Sequence, residues 1–288
     1  MPARARLLMC PPDHFDVSYV INPWMRGHLG AADATRARQQ WRTLRDALAP
    51  LADIECLTPV AGLPDLVFTA NAGLVLGEVF VPSRFLHAER RAEETHDEAW
   101  FRTRGYVLRA LPEGVAFEGA GDALLDRAAP RLWFGHGHRS GSAAAAPLQA
   151  LLDIEVVPLR LVDPRFYHLD TCFCPLRDGH LLYYPAAFDE AGRAAIAARV
   201  PAHRRIAVGE DDALAFACNA MNIDAQVVLN RASPALRKRL HEAGYATIEV
   251  DVSEFLKAGG AVKCLSLRLD EAVGAEASAA LVAPAASA

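Results

Sequence analysis

Six cysteines punctuate the 288-residue sequence, and one of them, Cys264, stands where a thiol can do chemistry. It closes the run Gly259-Gly-Ala-Val-Lys-Cys264, in which the glycine pair lets the backbone approach a ligand and Lys263 brings a cation that would lower the thiol pKa. The competing local reading is a small apolar residue at the head of a strand, the usual place of a free thiol. His168 lies in Phe166-Tyr-His-Leu-Asp-Thr-Cys-Phe-Cys-Pro175. Strand alternation there predicts His168, Asp170 and Cys172 on one face, which pairs a general acid/base with a carboxylate. A histidine hydrogen-bonded within a core is the alternative. Asp65, before a Leu-Val-Phe strand, and Glu118, before Gly119-Ala-Gly-Asp122, add two carboxylates at glycine-flanked turns. Converging with Asp170 they would clamp a planar cation bidentately; singly, they are ordinary turn residues.

Three other signals fail on spacing. Gly119-Ala-Gly121 lacks the third glycine and following helix of a dinucleotide loop. Cys172-Phe-Cys174 has no second pair for structural zinc, and His136-Gly-His138 reads as a loop. No metal is therefore expected.

The elements that must carry these residues repeat. Asp65–Pro82, Phe117–Gly135, Tyr167–Pro185, Ala213–Asn230 and Gly259–Leu269 read as strands paired around short turns, the last without an evident upstream partner. Their polar landmarks, Asn71, Glu118, His168, Asn219 and Cys264, are 47, 50, 51 and 45 residues apart. Helix-like stretches lie between them: Thr35–Leu48, Arg84–Arg102, Ser142–Leu152, Asp189–Arg199 and Ser233–Ala243, the last opening Ser-Pro as an N-cap and first turn should. Each runs into a further strand: Ile54–Val60, Tyr106–Leu111, Ile154–Leu161, Arg205–Val208 and Ala246–Val252. The unit is strand, strand, helix, strand, repeated about five times, and the turns of such units converge on one axis. An ordinary open α/β sheet is the alternative architecture. With no linker interrupting the series, one domain is expected over residues 1–270, followed by an alanine- and serine-rich tail at 271–288.

Composition narrows the function classes. Apolar types are 52% and charged types 23%, the balance of a globular chain with a sizeable core. A formal charge of −5 provides no electrostatic footprint for nucleic acid or an anionic membrane. No apolar run is long enough to span a bilayer, and the basic start dies at Pro11-Pro12-Asp13, too early for a signal sequence. The cysteines are too sparse for a disulfide scaffold and are expected as reduced thiols in the cytoplasm.

Taken together, these residues resemble the guanidino-group-modifying enzymes, the pentein superfamily of arginine deiminases, amidinotransferases and dimethylargininases. The motifs are Met9-Cys-Pro-Pro-Asp-His-Phe-Asp-Val-Ser-Tyr-Val-Ile-Asn-Pro-Trp-Met25, Pro64-Asp-Leu-Val-Phe-Thr-Ala-Asn-Ala-Gly73, Phe117-Glu-Gly-Ala-Gly-Asp122, His168-Leu-Asp170 and Gly260-Ala-Val-Lys-Cys264. The first two are most similar to the arginine dihydrolase branch. The resemblance implies a five-bladed α/β propeller, or pentein fold, of ββαβ units about a pseudo-five-fold axis, acting without cofactor. It implies Cys264 as nucleophile on the guanidino carbon of arginine, through a covalent thiouronium. His168 would be the proton carrier, and Asp65, Glu118 and Asp170 the grips on the guanidinium. Arg90 and Arg139 would take the substrate α-carboxylate, with Asn22 at that end. Asn71 would offer a neutral amide to a ureido group, so that a second hydrolysis carries citrulline on to ornithine, ammonia and carbon dioxide.

Dimethylargininase and arginine deiminase are the neighbouring expectations, and amidinotransferase a weaker one. A non-catalytic arginine-binding protein on the same scaffold is the one of a different class. The expected partner is a small-molecule substrate, arginine or a methylated arginine, in a chain able to form a homo-oligomer. Nucleic acid and membrane are not expected partners. Dihydrolases of this type can carry a second, carboxy-terminal domain, and a later step on ornithine is expected to be absent here.

Overall fold

The computed structural model describes residues 4–271; the tail expected at the C-terminus lies, from residue 272 on, outside them. The first strand, β1 (Ala5–Met9), leads through helix α1 (Ala34–Leu48) to β2 (Ala52–Cys56), which pairs with it in parallel. Asp33 caps α1 by accepting from the backbone N–H groups of Thr35 and Arg36, and Trp41, Leu44 and Leu48 form its buried stripe.

Four full ββαβ units follow. They are β3 (Gly73–Leu76), β4 (Val79–Pro82), α2 (Arg91–Thr103) and β5 (Val107–Leu108); then β6 (Ala123–Leu125), β7 (Arg131–His136), α3 (Ala145–Leu152) and β8 (Glu155–Arg160). The third is β9 (Phe173–Pro175), β10 (Leu181–Tyr183), α4 (Glu190–Arg199) and β11 (Arg205–Ala207). After a short helix α5 (Glu210–Leu214), the fourth is β12 (Met221–Ile223), β13 (Gln226–Leu229), α6 (Pro234–Glu242) and β14 (Ala246–Glu249). Each forms a three-stranded sheet, an antiparallel hairpin joined in parallel by the strand after the helix. Helix α7 (Ser253–Leu256) and a glycine-rich turn lead to β15 (Leu267–Arg268).

β15 supplies the missing partner of the fifth unit. It pairs antiparallel with β1, Leu7 opposite Arg268 and Leu8 opposite Leu267, giving the order β15-β1-β2. Five three-stranded blades thus close a five-bladed α/β propeller. The inner strands begin at residues 73, 123, 173, 221 and 267, intervals of 50, 50, 48 and 46.

The apolar core lies between the helices and the blades, as where Phe101 of α2 stacks on Phe80 of β4 at 3.6 Å. No described helix is long and apolar enough to cross a membrane.

Two local expectations are corrected. The stretches before the first three inner strands, expected as strand, are 3-10 turns: Pro64–Val67 and Thr69–Asn71, Gly119–Gly121, and Leu169–Thr171. Near the axis no strand partner is free, so backbone groups bond three residues along; Thr171 N donates to His168 O at 3.2 Å and Cys172 N to Leu169 O at 3.1 Å. The alternation expected for His168, Asp170 and Cys172 therefore does not exist, and the Cys172 thiol turns back to Leu169 O. The helix expected from Arg84 begins only at Arg91, because Arg84 is drawn into a bridge with Phe117.

Candidate active site

Because each axial turn directly precedes an inner strand, the fifty-residue repeat delivers one turn per blade to the same place. Asp65, Asn71, Glu118, Asp122, His168, Asp170, Asn219 and Cys264 are all buried there, a concentration of polar groups that only mutual pairing or a ligand makes tolerable.

Cys264 Sγ lies 3.4 and 3.5 Å from the two Asp170 oxygens. Asn219 holds the nucleophile loop from both ends of its amide: Oδ1 accepts from Lys263 N and Cys264 N, and Nδ2 donates to Sγ at 3.1 Å and to Asp170 O at 3.0 Å. Burial pushes the Cys264 thiol well above its ordinary pKa, and the Asp170 carboxylate pushes it further. The Lys263 cation expected to lower it does not prevail. Its Nζ is enclosed without a hydrogen-bond partner, and burial lowers its own pKa against the pull of Asp170, Cys264 and Glu271. Burial likewise raises Asp170 to about 7, opposed by Lys263 and by the bonds from Cys264 and Asn219.

His168 Nε2 meets Glu118 Oε2 at 2.7 Å, and Arg139 Nη1 donates to the same oxygen at 3.0 Å. Burial works against the Glu118 charge, but Arg139 and His168 outweigh it and hold the carboxyl well below the usual range. An ionised carboxylate only accepts, so Nε2 carries the proton and Nδ1 is left as an acceptor; Nδ1 is buried and has no partner in the protein. Glu118 is thus filled by protein donors, with Leu86 N on Oε1 at 3.3 Å. Asp122 accepts from Ser140 Oγ and Leu169 N and fixes the turn beneath His168.

On the other side Arg90, only 3% exposed, forks onto Glu93 at 3.0 and 2.7 Å. Its Nη1 donates to Asn71 Oδ1 at 2.9 Å and its Nη2 to Asp65 O at 3.2 Å. Asp65 Oδ2 is 3.8 Å from Arg90, while Oδ1 has no partner, and burial raises that carboxyl despite Arg90. Asn71 Nδ2 is also unpartnered. A methyl group built on Gly121 would collide with Asn71 Nδ2 and stand 3.3 Å from His168 Nδ1, so only glycine lets these two side chains approach. Ala70 N donates to Cys264 O at 3.1 Å and ties the Asn71 turn to the nucleophile loop.

Asn22 is tied into the fold: Oδ1 caps the turn Pro23–Met25 and one Nδ2 hydrogen goes to Ala258 O at 3.0 Å, beside the Tyr167 hydroxyl on Gly259 O. Among the described residues no cluster of His, Cys, Asp and Glu suits a metal ion. Three contributors escaped sequence reasoning: Asn219, visible as a landmark of the repeat but assigned no role; Glu93, three residues after Arg90 on a helical face; and Tyr167, beside His168.

A family model for N,N dimethylarginine dimethylhydrolase, eukaryotic, matches residues 36–269. The chain is 54% identical over 273 residues to the bifunctional arginine dihydrolase/ornithine cyclodeaminase AgrE of Nostoc sp., covering 95% of this chain and 39% of that one. It is 38% identical over 269 residues to the N(G),N(G)-dimethylarginine dimethylaminohydrolase of Mycobacterium tuberculosis, with 93% and 87% of the two chains covered. Its fold superposes with a TM-score of 0.92 and 51% identity on a substrate-bound N-terminal domain of ArgZ, a cyanobacterial arginine dihydrolase, over 93% of this chain and 99% of that one. The chain therefore spans about two fifths of the bifunctional relative it matches.

Proposed function

The chain belongs to the N,N-dimethylarginine dimethylhydrolase family, and on that premise we propose that it is a cysteine hydrolase of the guanidino carbon of L-arginine that works twice, yielding ornithine, two ammonia and carbon dioxide. The observation that carries the reading is the neutral Asn71 amide, whose free Nδ2 faces Gly121 as the free Nδ1 of His168 does.

In this reading Asp65, with an open oxygen, grips the substrate cation, and Arg90 and Arg139 meet its α-carboxylate at the Asn22 end. Glu118 orients His168, and Asp170 takes the Cys264 proton as sulfur adds to the guanidino carbon. Burial and the Asp170 carboxylate disfavour a thiolate, and the substrate's own positive charge supplies what stabilises it. His168 Nδ1 relays the Cys264 proton from Asp170 to the departing ammonia, leaving the thiouronium. Nδ1 then takes a proton from water as it adds to the thiouronium carbon, and the hydroxyl proton of the adduct goes to the expelled sulfur, leaving citrulline. In the second round sulfur adds to the ureido carbon and the carbonyl electron pair moves to oxygen, where Asn71 donates. Ammonia leaves a thiocarbamate, water releases the thiolate, and the resulting carbamate of ornithine loses carbon dioxide.

Dimethylargininase, with citrulline and methylamine as products, is the second reading, favoured by the family model and by the 38% identical relative. We read residues 1–270 as one catalytic domain, and six free cysteines support a reducing, cytoplasmic setting.

The experiment offers arginine, citrulline and dimethylarginine separately to wild type and Cys264→Ala, with products identified by mass spectrometry. Ornithine with two ammonia per arginine is expected, and none from the variant. Citrulline as end product means deiminase from arginine, or dimethylargininase from the methylated substrate. No turnover of any of the three by folded protein means that the family supplies the fold and not the substrate. In single turnover, Asn71→Ser should fail on citrulline; a wild-type rate would remove Asn71 from the second step.

A further inference from the structure

Asn71 can serve a second hydrolysis only if its amide faces the reacting centre the right way round. A guanidinium substrate carries N–H donors and no acceptor, whereas a ureido group presents a carbonyl oxygen. The NH2 end of Asn71 is therefore the useful end in the second round, and the Oδ1 end would be the wrong one. An amide rotated by 180° fills nearly the same space, so packing alone does not choose between the two.

What chooses is Arg90. Its guanidinium donates and never accepts, so the group of Asn71 that faces it at 2.9 Å must be Oδ1, leaving Nδ2 over Gly121 beside His168. Arg90 in turn has five N–H groups on a flexible stem, and Glu93 stops it from swinging. The fork at 3.0 and 2.7 Å uses Nε and Nη2, and the Phe85 ring lies 4.4 Å from the guanidinium carbon. Burial alone would lower the Arg90 pKa, but Glu93 raises it well above the ordinary value, so the donor stays a donor at any working pH. Glu93 is 1% exposed, on α2, one turn from Arg90. Carboxylate, guanidinium and amide form a single line from the helix to the axis.

We propose that Glu93 is a positioning residue for the second hydrolytic step, locking Arg90 so that Asn71 presents its NH2 to the oxygen that develops on the ureido carbon. The proposal rests on the dihydrolase reading above. Its signature is a change in how the reaction partitions. When Asn71 loses its orientation, citrulline formed in the first round is released before sulfur can add to it again.

The test measures released citrulline against ornithine at saturating arginine for wild type, Glu93→Gln and Glu93→Asp, with folding checked by circular dichroism. Glu93→Gln should raise the citrulline share about tenfold or more, the scale of loss expected when a catalytic donor is misplaced. Glu93→Asp, which keeps the charge on a shorter stem, should fall between. An unchanged citrulline-to-ornithine ratio in folded Glu93→Gln, whatever its total rate, overturns the proposal. If Glu93→Gln does not fold, Glu93→Asp decides: a share above wild type supports the proposal, and the wild-type share overturns it. Wild-type protein that itself stops at citrulline removes the dihydrolase reading, and the proposal with it, so the two failures are told apart in one assay.

Discussion

Two buried arginines reach into the candidate site, and their wiring differs. Arg139 shares Glu118 Oε2 with His168, so its line ends in a group that carries a proton. Arg90 is forked by Glu93 and reaches Asn71, so its line ends in a group that cannot titrate. Residue type and burial are alike on the two sides. What separates the functions is the residue at the far end of each line. In the proposed mechanism a single pocket would thereby keep proton traffic apart from the recognition of a neutral carbonyl.

The largest effect expected is on the His168 side. Glu118→Gln leaves Arg139 buried beside a neutral amide and frees the His168 tautomer. We expect a loss of about 10³–10⁴ in kcat/KM for arginine and citrulline alike. A loss confined to citrulline, followed by ammonia release on each substrate, would break the division between the two sides.

Gly121→Ala touches both lines at once, since the added methyl meets Asn71 Nδ2 and His168 Nδ1. Both half-reactions should fall by about 10²-fold, the scale set by misplacing reacting groups by an ångström. Steady-state rates on arginine and citrulline give the answer, and an effect on one substrate alone would show that the two sides do not meet there.

The smallest effect is in stability against acid. Because the folded-state pKa of Glu118 is depressed, folding favours its ionised form. The stability it contributes is full above the ordinary glutamate pKa and is lost as pH falls below it toward the folded value. Urea unfolding of wild type and Glu118→Gln should therefore differ most near pH 6–7. The gap should narrow below about pH 4 by roughly 1.4 kcal/mol per pH unit, one proton's worth. A gap that does not change with pH would mean that the Arg139–His168 side carries no buried charge.

How much of this was legible beforehand depended on the range of the interaction. The five units could be read because each buries its own apolar hairpin and helix, and Ser233 and Asp189 cap their helices as local sequence says they should. Cys264 and His168 stood out by motif, and the fifty-residue spacing brought them to one axis. The turns themselves read as strand, since Leu-Val-Phe at 66–68 and Leu169 have the same residue types in either conformation; only the absence of a partner near the axis decides. In the sequence Glu93 is one more charge in the run Glu89-Arg-Arg-Ala-Glu-Glu94. Its burial is set by what packs on α2, which no local pattern records. The partner of β15 was invisible for a similar reason, being β1, at the other end of the described chain.

That last pairing bears on how the molecule comes to exist at all. The blade that holds the Cys264 loop joins the first described strand to the last, so it cannot be completed until the chain has left the ribosome as far as Arg268. Until then β1 and β2 wait with an unpaired edge, and the cysteine loop has no docked position beside the Asn71 turn. Contacts of such long sequence separation slow the final step of folding. A partly made ring therefore has no partly working site: closure of the propeller and assembly of its chemistry are one event.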